Sequence, residues 1–270
     1  MLDKVAQNGL VLLGCGKMGS ALLQGWLANG VPATSVWVIE PNPSDWLKAQ
    51  GVHLNEGLPA APAVVLIAVK PQMMGAALPS LQALAGGATL FLSIAAGTKI
   101  AAFAEVFGPA ARIVRAMPNT PAAVNRGITA MIGNANTSPA DLDLAEALLS
   151  AVGQVVRLSS EDQIDAVTAL SGGGPAYVFH LIETMAAAGE ALGLPADMSM
   201  QLARATVIGS GELARQSSES AAQMRINVTS PGGTTAEALR VLMDPDTGFP
   251  VLLPKAIRAA SDRGRELGQK

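Results

Sequence analysis

Gly14-Cys15-Gly16-Lys17-Met18-Gly19 is the stretch of this chain whose spacing speaks most directly of chemistry. Glycines at the first, third and sixth places suit a dinucleotide. The first permits a tight turn, the second lets backbone approach a pyrophosphate, and the third lets a helix pack closely on a sheet. A helix beginning there offers unpaired N–H groups and a partial positive charge to phosphates. The context agrees: Leu10-Val11-Leu12-Leu13 reads as a strand before the turn, and Ser20 to Leu27 as an apolar helix after it. A strand-to-helix turn without a ligand is the other reading of the same six residues.

Further candidates end the other apolar runs. Val69-Lys70-Pro71-Gln72, Ser93-Ile94-Ala95-Ala96-Gly97 and Arg115-Ala116-Met117-Pro118-Asn119-Thr120-Pro121 each follow a strand-like segment. Ligands of open α/β sheets bind outside the carboxyl ends of the strands, so these loops line one crevice with the glycine turn. Pro71 and Pro118 also read as strand stops, and Asn119 as a turn residue. Two loops fall in the second half. Ser171-Gly172-Gly173-Gly174-Pro175-Ala176-Tyr177 is expected to interrupt one helical run and start another. Asn227-Val228-Thr229-Ser230-Pro231-Gly232-Gly233-Thr234-Thr235 sets backbone N–H groups and the Ser230, Thr234 and Thr235 hydroxyls before a helix at Ala236. That arrangement suits a carboxylate. A capping loop with Glu237 near the helix start is the alternative.

Other chemistry is not signalled. His53 and His180 sit in no motif, no His, Cys or carboxylate cluster has metal spacing, and no Ser-centred nucleophile elbow occurs. Chemistry must then rest on a cofactor and on positioning. Eighteen Lys and Arg against 21 Asp and Glu give a net charge of -3, which suggests neither nucleic acid nor an anionic membrane surface. No apolar run approaches the roughly 20 residues of a membrane span. No basic-then-apolar leader is read at the N-terminus. The single cysteine, Cys15, forms no intrachain disulfide and suits a reducing cytoplasm.

These loops need a scaffold. Val36–Ile39, Val64–Val69, Thr89–Ile94, Arg112–Ala116, Ile128–Ile132 and Val155–Leu158 read as strands. Helical stretches between them include Met73–Leu84, Lys99–Phe107 and Asp141–Ala151. This is an α/β pattern, a doubly wound Rossmann-type sheet over residues 1–160. From Glu161 strand signals vanish. Tyr177–Leu192, Met198–Arg215, Thr235–Leu242 and Val251–Leu267 are expected helices of an all-helical unit, 161–270, with Ser159 or Ser160 capping its start. Its apolar content fits an oligomer interface or a self-contained bundle.

The set G-C-G-K-M-G, A-V-K-P-Q, S-I-A-A-G, R-A-M-P-N-T-P, G-G-G-P-A-Y and N-V-T-S-P-G-G-T-T, in this order, resembles pyrroline-5-carboxylate reductase over nearly the whole chain. The resemblance implies reduction of Δ1-pyrroline-5-carboxylate to L-proline with NADP(H), NAD(H) being the alternative. It implies an imino-acid substrate whose carboxylate meets the Gly233, Thr234 and Thr235 N–H groups and the Ser230 hydroxyl. Thr235 would orient the ring nitrogen, and Glu161 would lie near the substrate. Cofactor contacts implied are Gly14, Gly16, Lys17, Met18, Gly19, Glu40, Asn42, Asn55, Ala68, Val69, Lys70, Pro71, Asn227, and the neighbours Ala95 and Asn119. It further implies a homodimer or a decamer in which the substrate loop faces the other subunit's cofactor domain.

Three positions depart from the family pattern. Lys17 stands where Asn or Gln is frequent, and Gly173 where serine is common. Glu40 resembles the acid that accepts hydrogen bonds from an NAD ribose, while Pro41-Asn42-Pro43-Ser44 after it resembles NADPH users. Two rivals stand beside this reading: another imine or β-hydroxyacid reductase, and a non-catalytic dinucleotide-binding regulator. The former usually carry a catalytic lysine or aspartate on a helix after the sheet, and no lysine occurs between Glu161 and Lys255.

Overall fold

A computed structural model describes residues 2–268. The apolar runs form an eight-stranded sheet of β1 (Leu10–Leu13), β2 (Val36–Ile39), β3 (His53–Leu54), β4 (Val64–Ile67), β5 (Leu90–Ser93), β6 (Arg112–Met117), β7 (Gly127–Gly133) and β8 (Gly153–Arg157). The strand order is β3-β2-β1-β4-β5-β6-β7-β8. β1, β4 and β5 are buried along their whole length, because helices cover both faces. Alternation along β1 feeds two cores. Leu10 and Leu12 pack with Leu22, Leu23 and Trp26 on one face, and Val11 and Leu13 with Phe91 and Phe103 on the other.

The helices of this unit are α1 (Leu2–Asn8), α2 (Lys17–Ala28), α3 (Asp45–Lys48), α4 (Met74–Ala77), α5 (Ile100–Phe107), α6 (Pro139–Leu149) and α7 (Gln163–Val167). α2 lies close on the layer behind it because Gly25 has no side chain; a Cβ there would stand 2.8 Å from the Ala151 carbonyl oxygen. The Trp26 indole N–H, fully buried, donates to the Leu148 carbonyl at 2.8 Å.

The structure departs from the sequence expectations in three places. β1 to β6 are parallel, but β7 runs antiparallel to β6 and β8 parallel to β7. A parallel return needs a crossover of about a dozen residues or more, and residues 118–126 are too few. The expected helix 73–84 is broken into 3-10 turns, Pro71–Met73 and Leu78–Leu84, around α4, since Pro79 lacks an N–H and crowds the preceding turn. The expected loop at 171–177 is a π turn, Thr168–Gly172, running into α8 (Gly174–Ala191), with Gly173 in right-handed helical geometry at φ -81° and ψ -19°. Pro175 sits in the first turn of α8, where no N–H is needed.

The chain forms two compact units, one running to Gly172 and resumed from Ser261, the other Gly173–Ala260. The segment from Glu161 to Gly172 stays with the sheet because side chains tie it there: Arg115 to Glu161, and Asn119 to the Ser171 carbonyl. At its start the Gln163 side chain accepts from the Ser159 and Ser160 N–H groups, and the Ser160 hydroxyl accepts from the Asp162 N–H.

The second unit holds α8, α9 (Ala196–Gln216), α10 (Ala221–Asn227), α11 (Thr234–Leu242) and the first part of α12 (Phe249–Leu267). α8 and α9 meet through small residues; a Cβ on Gly189 would stand 2.9 Å from the Ser199 hydroxyl oxygen. Between Gly173 and Ala260 the buried residues are Ala186, Ser199, Ala203 and Gly248. Large apolar side chains such as Phe179, Leu192, Ile208 and Leu213 are exposed. A self-contained bundle requires an apolar core, and this unit has none.

Candidate dinucleotide and substrate sites

β1 and β4 neighbour each other where the order of the parallel strands reverses, and the glycine turn follows β1 at that point. Gly14 has φ +88°, and a Cβ on it would lie 2.9 Å from Val69 Cγ1 and 3.1 Å from the Ala68 carbonyl oxygen. A Cβ on Gly19 would collide with the Gly14 carbonyl oxygen at 2.5 Å. A Cβ on Gly16 would meet nothing within 4 Å. The first and third glycines thus answer to the fold, while the second faces open space. Gly16 also caps α2 with no side-chain hydrogen bond, so the first-turn amides, including those of Met18 and Gly19, are left for an anion. Lys17 opens the helix, exposed. These features fit a pyrophosphate.

Glu40 follows β2 and turns its carboxylate back over this turn. The Cys15 N–H donates to Glu40 Oε2 at 2.8 Å, and the Asn42 N–H to Oε1 at 3.0 Å. Burial, and then the Glu40 charge, push the Cys15 thiol up to about 11, so it stays protonated and is no nucleophile. Asn55 has a left-handed backbone, φ 55°, and spends its amide on Glu40: Oδ1 accepts from the Glu40 N–H and Nδ2 donates to the Glu40 carbonyl, both at 2.9 Å.

The remaining strand ends gather at the same edge. Ala68 and Val69 are half-buried, and Lys70 and Pro71 are exposed after β4. Ala95, buried after β5, donates its N–H to the Ser93 hydroxyl at 3.2 Å. Asn119, after β6, holds its surroundings together. Its Oδ1 accepts from the Ile128 N–H at 2.9 Å and its Nδ2 donates to the Ser171 carbonyl at 3.2 Å. Glu161 is likewise engaged, accepting from the Arg115 guanidinium at 2.7 Å and the Ile100 N–H at 2.8 Å.

The serine-threonine loop belongs to the second unit. Gly232 has φ +68°, and the Gly233 N–H closes a turn on the Ser230 carbonyl at 3.0 Å. The helix starts at Thr234 rather than Ala236, and Gly233 caps it with no side-chain hydrogen bond. The first-turn amides of α11 have no side-chain cap, and Ser230, Thr234 and Thr235 are exposed, a set of donors that suits an anion. Asn227 lies at the end of α10, where its amide pairs with Glu219 at 3.0 Å and Gln223 at 2.8 Å. Four polar residues expected at the ligands (Asn55, Asn119, Glu161 and Asn227) therefore have side chains bonded within the chain. Arg115 heads one of the loops singled out in the sequence, but its pairing with Glu161 was not expected. Its one signal was a basic residue inside an apolar strand, which demands a buried partner. No group of acidic, histidine and cysteine side chains able to hold a metal occurs among the described residues.

A strand-order reversal with an open glycine turn, joined to an all-helical unit, defines the class of dinucleotide-binding oxidoreductases. Residues 9–97 match the family model described as NADP oxidoreductase coenzyme F420-dependent, and residues 161–267 the model for pyrroline-5-carboxylate reductase dimerisation. Pyrroline-5-carboxylate reductase of Pseudomonas aeruginosa is 38% identical, with 97% of both chains covered. That of Synechocystis is 41% identical over 97% of this chain and 98% of the relative. The structure of a pyrroline-5-carboxylate reductase from Coxiella burnetii covers 97% of this chain and 99% of its own at a TM-score of 0.91 and 36% identity. One from Plasmodium falciparum with NADP bound has a TM-score of 0.82 and 30% identity, with 96% and 98% covered. The chain belongs to the pyrroline-5-carboxylate reductase family.

Proposed function

We propose that this chain reduces Δ1-pyrroline-5-carboxylate to L-proline in the cytoplasm, as a homodimer or a decamer built from dimers. One observation carries the reading. A single chain joins an open glycine turn at the strand-order reversal to a capless, hydroxyl-rich helix start at α11. The NADP of the Plasmodium falciparum relative supports NADP(H) as hydride source, with NAD(H) as the alternative.

The Gly16, Lys17, Met18 and Gly19 segment, with Gly14 shaping the turn, holds the pyrophosphate. Glu40, Asn42 and Asn55 form the adenosine end. Ala68, Val69, Lys70, Pro71, Ala95 and Asn119 line the nicotinamide end, and Asn227 is a further cofactor contact by resemblance to the family. When bound, the dinucleotide supplies the hydride. Hydride addition to a protonated C=N bond leaves no oxyanion, so the residues have only to bind, orient and manage one proton. The amides of Gly233, Thr234 and Thr235 and the Ser230 hydroxyl hold the carboxylate, with the α11 dipole adding to them. The Thr235 hydroxyl orients the ring nitrogen; a threonine is too weak an acid to be more than a relay. Glu161 is held by Arg115 and fixes the start of α5, acting on the substrate at one remove.

Purified protein should oxidise NADPH or NADH, followed by loss of reduced-nicotinamide absorbance, only when pyrroline-5-carboxylate or a close cyclic imino acid is added. No turnover with either dinucleotide overturns the reading, and turnover with a β-hydroxyacid instead would move the chain to the rival class.

A further inference from the structure

The sequence leaves the dinucleotide preference open, and the geometry at the end of β2 bears on it. We propose that Glu40 reads the 2′-hydroxyl of the adenosine ribose and disfavours a 2′-phosphate, so that this chain binds NADH more tightly than NADPH, and that Asn55 is the positioning residue that holds Glu40 to this task. The proposal rests on the dinucleotide reading given above.

Three features carry it. The carboxylate is fixed rather than mobile: Oε2 takes the Cys15 N–H of the glycine turn and Oε1 the Asn42 N–H, and each oxygen keeps lone-pair capacity for a hydroxyl donor. The turn amide at Cys15 is thereby already satisfied by an anion. Asn55 then clamps the Glu40 peptide on both sides from a left-handed conformation that few residue types adopt. The 41–48 segment after β2 offers little to oppose that charge. The Ser44 hydroxyl caps α3 by accepting from the Leu47 N–H at 3.2 Å, and Lys48, the segment's one cation, pairs with Asp45 at 2.9 Å. A 2′-phosphate brought to this end would face a fixed carboxylate with no free cation of this segment beside it. The two dinucleotides share every other contact, so NADPH is still bound and used, only more weakly.

The test is equilibrium binding to the intact protein by calorimetry, with NADH, NADPH, ADP-ribose and 2′-phospho-ADP-ribose. The expected result is NADH over NADPH by about tenfold or more, about 1.4 kcal/mol per decade. The same order should hold for the two ADP-ribose fragments, which isolates the adenosine end. Glu40→Gln should raise NADPH affinity and bring the ratio towards one, with Glu40→Ser as the second variant if the first folds poorly by melting temperature. Asn55→Gly keeps the left-handed backbone but removes the clamp, and should lower NADH affinity selectively. A merely structural loss would weaken both dinucleotides alike. Equal or tighter NADPH binding by the wild type, or a ratio unchanged in the Glu40 variants, overturns the proposal and leaves the reductase reading standing. Binding of neither dinucleotide removes both.

Discussion

Arg115, 3% exposed in the middle of a six-residue strand, meets Glu161, 46 residues further on, at 2.7 Å. The same carboxylate oxygen accepts the Ile100 N–H at the start of α5. One side chain therefore joins an interior strand, a helix start and the segment that follows β8. Glu161→Ala would strand a buried guanidinium and should lower stability by about 2–4 kcal/mol, since removing one partner of a buried pair leaves its charge unsatisfied. Glu161→Gln keeps an acceptor and should cost less. If Glu161 acts through Arg115, the melting temperature will fall in both while KM for the imino acid changes little in the Gln variant. A direct substrate contact would show the opposite, a raised KM at unchanged melting temperature.

Thr235→Ala should lower kcat/KM by roughly 10- to 1000-fold, the equivalent of one or two aligned hydrogen bonds at about 1.4 kcal/mol per decade. Dinucleotide affinity should stay as in the wild type, because the substitution touches the second unit only. Wild-type kinetics in this variant would free the loop of any role in holding the imine.

Acid should act through Asp141. Burial works to raise its carboxyl, but the Ser138 backbone N–H and hydroxyl and the Arg112 guanidinium at 3.1 Å prevail and hold it below the usual carboxylate range. A group with a depressed folded value contributes stability above its unfolded value of about 3.9 and loses it as pH falls through the folded one. Urea midpoints measured downward from pH 5 should therefore drop in the wild type below about pH 4. Asp141→Asn should be less stable at neutral pH and show a shallower decline. Parallel curves for the two proteins would assign the acid sensitivity elsewhere.

Two damaged chains should repair each other. Gly16→Asp puts a carboxylate into the open face of the glycine turn, and Thr235→Ala disables the substrate loop. If the two halves of a site come from different subunits, co-expressed variants form mixed dimers with one sound site. Activity in the mixture should rise above that of either parent. Demonstrably mixed dimers without activity would confine each site to one chain.

The sheet and its glycine turn were legible because strands buried on both faces must be continuous apolar runs, as Val64–Ile67 is. The reversal at β7 was not, since alternation along Gly127–Gly133 carries no mark of direction. β3, only His53 and Leu54, is an edge pair too short to leave a pattern. α10 lay hidden in the polar stretch before the S-P-G-G-T-T loop; its one sign was Ser220, whose hydroxyl accepts from the Gln223 N–H. At the sites, the motifs marked the turn after β1 and the turn before α11, though not the helical course of Ser171–Tyr177. What they could not reveal is where the amides of Asn55 and Asn119 and the carboxylates of Glu40 and Glu161 are spent. Apart from the Glu40–Asn42 bond, these bonds join residues 9 to 61 positions apart, and only the fold brings them together.

The near absence of buried side chains between Gly173 and Ala260 makes the helical half a poor fold at high dilution. Its apolar faces gain from burial only when another chain arrives, so association and folding become one equilibrium, and mass action governs both. The melting temperature of the whole protein should rise with its own concentration, and a dilute sample should lose helix before it loses sheet. In a cell this ties the lifetime of each newly made chain to the abundance of its siblings: chains made sparsely would be exposed to proteases, and chains made in bursts would shelter one another.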